Sequence, residues 1–177
     1  MARTGQLYAN SEPTPFYIKG INWKGAETEA ALPIGLDKHE LGWYLQLLRT
    51  HKFNAIRLHF SHQTVLQNEP ISVPSDSEMK EWDKIPYIGM LVEFAKAAEE
   101  LGILIILVSS RLSEDADPGS PEEGMWYNSQ INEQQVTESW FALSKMFCDK
   151  WNVVGVDLQN GKCSAIKPRS PPIPLGN

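Results

Sequence analysis

An α/β fold built on a parallel sheet is what this sequence predicts, on three observations. Short β-branched or aromatic runs alternate with segments of helical period, in the order β-α-β-α-β-α-β. Residues 103–108 (ILIILV) are continuously apolar, as a strand covered on both faces must be. Polar residues gather where the strands end: Asn22 and Trp23, Arg57 and His59, Ser109 to Arg111, Asp157 and Asn160. That gathering favours a (β/α)8 barrel, whose reactive groups stand at the C-terminal ends of its strands. A doubly wound nucleotide fold would show GxGxxG after its first strand. Here Trp23-Lys24-Gly25-Ala26 follows, and the motif occurs nowhere.

The first strand is read over residues 16–23 (FYIKGINW), after Pro13 and Pro15. Asp37, with Glu40 three residues on, has the spacing of a capping box. A helix is expected from there to about His51, with Leu41, Tyr44, Leu45 and Leu48 on one apolar face. Residues 54–60 (NAIRLHF) read as the second strand. Residues 61–83, holding Pro70 and Pro74 and little periodicity, read as mostly loop. A second helix is expected over about 86–101, with Leu91, Phe94, Ala95 and Ala98 inward and Gly102 as its stop. The third strand is followed by a Pro- and Gly-bearing loop at 113–124. A third helix is then expected over about 133–151, with Val136, Trp140, Leu143, Met146 and Phe147 inward, and a fourth strand over 152–158 (NVVGVDL). After Asn160 the periodicity stops. Pro168, Pro171, Pro172 and Pro174 fall within seven residues, so 161–177 is expected to be a disordered Pro-rich tail. The predicted organisation is an extension at 1–15, a domain at 16–160 and that tail.

A chain of 177 residues fits one domain with a real core. A net charge of −6 argues against a nucleic-acid or anionic-membrane partner. No window approaches the roughly 20 apolar residues that a membrane span needs. The first fifteen residues contain no apolar run, so no export signal is legible. Cys148 and Cys163 can make at most one bridge and are no zinc set. His59 and His62 lack an evident third metal ligand and read as solvated loop residues. Gly155 and Gly161-Lys162 miss the phosphate-loop spacing by one residue, and Cys163 stands where Ser or Thr should hold magnesium. No cofactor is expected.

Several segments taken together carry a resemblance. KGINWKGAET (19–28), PIGL (33–36), FNAIRLHFS (53–61) and VVGVDLQN (153–160) resemble, in order, glycoside hydrolase family 5, the cellulase family. WYN (126–128), ahead of a Trp-containing helix, also fits it. The resemblance covers roughly 16–160. It implies the first half, about four β/α units, of a (β/α)8 TIM barrel. It also implies metal-free, retaining hydrolysis of O-glycosyl bonds in β-1,4-linked glucans such as cellulose, by a usually secreted enzyme. A glutamate at the end of strand four would be the acid/base, and another at the end of strand seven the nucleophile.

Retaining chemistry needs both carboxyls, held about 5–5.5 Å apart, one protonating the leaving oxygen and one attacking the anomeric carbon. Their environments must separate their pKa values. The family motif runs Asn-Glu-Pro, but here Asn160 is followed by Gly161, which has no proton to give. The nucleophile's strand would fall beyond Asn177. A truncated, catalytically impaired family member is therefore expected. The alternative is a non-catalytic glycan-binding or decoy half-barrel, and exposed sheet edges would favour self-association. Asn68-Glu69-Pro70 spells the family tripeptide, but in the loop after strand two, and Glu69 is read as an exposed loop residue.

Other roles carry over by position. Arg57 matches the strand-two arginine that bonds near the nucleophile, and Asn160 the asparagine that contacts the sugar 2-hydroxyl. Ser110 stands where a strand-three histidine is expected, and His59 replaces a usual proline. Trp23 and Trp126 are candidates to stack on a sugar ring, with core packing as the alternative. Glu27 matches an acidic position that would bond a distal sugar hydroxyl.

Overall fold

The computed structural model describes residues 7–8, 15–113 and 125–159. A two-residue antiparallel pair, β1 (Leu7–Tyr8) and β2 (Pro15–Phe16), precedes the main sheet. The chain then alternates β3 (Gly20–Trp23), α1 (Leu41–Thr50), β4 (Ala55–Ser61), α2 (His62–Gln67), α3 (Tyr87–Glu100), β5 (Leu104–Arg111), α4 (Glu133–Phe147) and β6 (Val153–Asp157). The four long strands pair in sequence order, β3-β4-β5-β6, and every pair is parallel. Parallel neighbours require a crossover, and the helices supply each one.

Register divides the sheet into two faces. Arg57 pairs with Asn22 on one side and Ile106 on the other; Ile106 pairs with Gly155, and Val108 with His59 and Asp157. Side chains alternate along a strand, so Asn22, Arg57, His59 and Asp157 share one face. The other face presents Ile56, Leu58, Phe60, Ile105 and Leu107, which are buried in one core with Leu45 of α1, Leu91 and Phe94 of α3, and Leu143 and Phe147 of α4. The helical layer thus fixes which side of every strand the polar residues occupy. Asn152, at the entry to β6, is buried, and its Nδ2 donates to the carbonyls of Ala95 (2.8 Å) and Ile103 (3.2 Å). It ties α3, β5 and β6 together.

Two expectations are corrected and a third is extended. The first helix starts at Leu41, with Glu40 rather than Asp37 at its N-cap. Gly35 takes φ +97° and its carbonyl accepts from both Lys38 and His39, so a tight turn occupies the residues read as the first turn of helix. The stretch after β4 is mostly loop, as read, but a short helix not foreseen in it, α2, follows β4 at once. The Ser61 hydroxyl accepts from the Thr64 N–H (3.1 Å), and Asn68 ends the helix in the left-handed region at φ 46°. The last helix ends at Phe147, and Met146, read as inward, is 45% exposed. Gly102 does stop α3, at φ +67°. The tail at 161–177 lies outside the described residues.

Leu45 is fully enclosed in the core, so Leu45→Ala is expected to cost about 2–5 kcal/mol in urea unfolding. Met146→Ala should stay within about 0.5 kcal/mol.

Candidate functional site

A guanidinium in the middle of an apolar strand has to be matched by acceptors. Arg57 finds them on two other strands. Its Nη1 donates to Asn22 Oδ1 of β3 at 2.7 Å, and its Nη2 pairs with Asp157 Oδ2 of β6. Both charged side chains are about two-thirds covered, at 32% exposure. Asn22 Oδ1 also lies 3.4 Å from His59 Nε2, while His59 Nδ1 is buried without a hydrogen-bond partner. Burial holds the His59 pKa below its ordinary value. Glu27 acts on it in the opposite direction, Lys24 and Arg57 lower it further, and Asp157 raises it. Asn22 and Asp157 stand at the C-terminal ends of β3 and β6, where a parallel α/β sheet builds its sites, and Arg57 and His59 reach them from within β4.

The other sequence candidates take different places. Trp23 is 7% exposed; its ring meets Tyr44 and Phe94 edge-on, and its Nε1 donates to the Ile34 carbonyl at 2.9 Å. It faces the helices, opposite to Asn22. Trp126 is 49% exposed and touches Tyr127 edge-on. Glu27 is 5% exposed, and its Oε2 accepts from the Gly25 N–H at 2.6 Å, holding the turn after β3. Gly25 takes φ +114°, and a Cβ there would lie 2.5 Å from the Ile34 nitrogen. Ser110, next to last in β5, has a buried hydroxyl without a hydrogen-bond partner. Asn160 and Gly161 lie outside the described residues.

His59 and His62 are not solvated loop residues, which corrects the sequence expectation: both are buried. His59 is a strand residue, and His62 opens α2 immediately after β4. His62 bridges two elements, Nε2 to the Ser109 hydroxyl of β5 (2.7 Å) and Nδ1 to the Ser139 hydroxyl of α4. Ser139 donates its own proton to the Val136 carbonyl (2.9 Å), so Nδ1–H is the donor to Ser139. Burial depresses the ring's pKa to about 4, and in the neutral ring that this favours Nε2 is the acceptor facing the Ser109 hydroxyl. Among the described residues no group of three or more His, Cys, Asp or Glu is placed to hold a metal ion, and no helix is long and apolar enough to cross a membrane. Beside the polar face, the loop after β3 and the segment after α2 line a groove of about 710 Å³ that includes Thr28, Glu29, Asp37, Gln67 and Glu69. Glu69 is exposed there, while Asn68 Oδ1 accepts from the Ile88 N–H at the start of α3.

No protein-family model matches the chain. An endoglucanase of Paenibacillus polymyxa is 28% identical to it over 147 residues, 81% of this chain and 35% of the relative. The endocellulase of Pyrococcus horikoshii, solved as a variant in complex with cellotetraose, superposes with a TM-score of 0.72 at 29% identity. The chain is similar to these cellulases in sequence and in fold. It spans about a third of the Paenibacillus enzyme's length, and the superposition covers 83% of it against 38% of the Pyrococcus enzyme. The catalytic domain of the major endoglucanase from Xanthomonas campestris pv. campestris has the same fold over 88% of this chain and 43% of its own, with a TM-score of 0.73 at 19% identity. Among the described residues, the four-stranded parallel sheet corresponds to half of such an eight-stranded barrel.

The clustering of Arg57 was legible in the sequence, but the roles of Asn22 and Asp157 were not assigned there. The signal that would have found them is charge parity: an aspartate at an inward position of one apolar strand and an arginine at an inward position of another.

The buried His62 ring should make stability fall in acid. Between pH 6.5 and about 4 the unfolded chain binds a proton that the folded ring refuses, so stability drops as pH falls through that window. The loss attributable to this ring is on the order of 3 kcal/mol. Urea unfolding at intervals across the window should show that slope, and His62→Gln should make it shallower.

Proposed function

We propose that the polar face of this half barrel is a β-glucan-binding surface of the endoglucanase type. The observation that carries the reading is Arg57, held between Asn22 of β3 and Asp157 of β6 in a chain similar to cellulases. Two of the five guanidinium N–H groups are engaged by these partners. The others are available to sugar hydroxyls, which need charged or polar donors fixed before the ligand arrives. Trp126, half exposed in the segment after β5, offers an aromatic surface to a pyranose ring. Asn160 adds a contact to the 2-hydroxyl by its position directly after the strand-four segment.

Cleavage is a separate matter from binding. On the resemblance, the retaining acid/base belongs at Gly161, a residue with no ionisable group. The reading is therefore a family member that holds a glucan and is impaired in hydrolysing it. A second property is favoured by exposed apolar side chains at both sheet margins. Tyr17, Ile18 and Ile34 lie near β3, and Trp151, Val156 and Leu158 near β6. Neither strand has an outer partner among the described residues, so self-association through these margins is the proposed way of covering them.

Cellotetraose titrated into the 177-residue chain should bind saturably, and Arg57→Ala should weaken it about tenfold, near 1.4 kcal/mol. A flat titration to millimolar sugar would remove the binding reading. Release of reducing ends that disappears with Arg57→Ala would remove the claim of impairment. Sedimentation velocity over a wide concentration range should show association, and a monomer throughout would end the pairing idea.

A further inference from the structure

Arg57 and Asp157 are not on neighbouring strands. β5 lies between β4 and β6, so the ion pair crosses the inward side chains of β5. The two residues are also offset along the strands: Arg57 stands in the row of Ile106 and Gly155, and Asp157 in the next row, with His59 and Val108. In Arg57's row the inward position on β6 is Gly155, and a Cβ built there would meet nothing within 4 Å. The space between the two strands is open, and the guanidinium leans across β5 to the aspartate. Its other anchor, Asn22, is on the opposite side, on β3.

We propose that Asp157 is the positioning residue of this site: it sets the plane of the Arg57 guanidinium across β5 so that the unused N–H groups face the ligand surface. Asn22 alone is a neutral acceptor at one nitrogen and leaves the group free to rotate about that bond. A carboxylate on the second terminal nitrogen removes the rotation, because a planar fork held at both tips has a defined orientation.

This inference rests on the β-glucan reading, and two measurements on the full chain keep the two apart. The first is titration of cellotetraose into the wild type, Asp157→Asn, Asp157→Ala and Asp157→Glu. Asp157→Asn preserves shape and removes charge, so it should lose about tenfold in affinity with the unfolding midpoint little changed. Asp157→Glu should recover most of the loss, and Asp157→Ala should bind no better than Asp157→Asn. The second needs no sugar: NMR of the Arg57 side-chain N–H groups, which should be restrained in the wild type and mobile in Asp157→Asn. If the wild type binds and Asp157→Asn binds equally well, the positioning role is overturned while the glucan reading stands. If no chain binds, the glucan reading fails and the NMR arm decides: equal mobility in both chains overturns the positioning role, and a loss of restraint in Asp157→Asn upholds it.

Discussion

A positive charge placed inside a parallel sheet must be answered from the same sheet, and that requirement organises this molecule. Arg57 lies in the run Ala55–Ser61, whose other six residues are all buried, Ile56, Leu58 and Phe60 among them under the helices. Its partners come from β3 and β6, the two ends of the strand order, so the ion pair is satisfied only if all four strands are assembled in register. A slip of one residue in any strand would turn Asn22 or Asp157 to the helical side and leave the guanidinium uncompensated. The register is in turn imposed from the opposite face, where Ile56, Leu58, Phe60, Ile105 and Leu107 must stay under α1, α3 and α4. Hydrophobic burial supplies the driving force, and the polar face adds the requirement that only one register be accepted.

The same logic places the neutral histidine. His62 joins β5 to α4 through Ser109 and Ser139 and is sealed beside Phe60 and Trp140, whose rings lie edge-on to it. A residue that looks like solvent-facing chemistry in the sequence is thus a structural fastener. The polar network on the face of Asn22 and Asp157 and the one behind it are separate: Arg57 and His59 belong to the first, His62 to the second.

Much of this was legible in the sequence because burial leaves a periodic trace. The four strands, three of the helices and the Gly102 stop follow from apolar spacing alone. So does the demand that Arg57 have partners. α2 left no such trace: six residues are too short for an apolar stripe, and its start depends on one hydroxyl reaching the Thr64 amide. The late start of α1 depends on Gly35 adopting a positive φ, which the composition of the turn permits but does not require. Asp157 was visible as a strand-end residue, but it is a hundred positions from Arg57, and only the pairing of β5 with β6 brings them together.

The glycines give the chain a readable history. Gly25 cannot be exchanged without driving a Cβ into the backbone of Leu32 and Ile34, whereas Gly155 faces open space. If natural variants of this chain are under selection to keep the turn that carries Glu27, position 25 will remain glycine among them while position 155 drifts to small residues. If the chain is decaying, both positions will accept change at the same pace. The contrast between two glycines thus separates a maintained fold from a relic without any assay of activity.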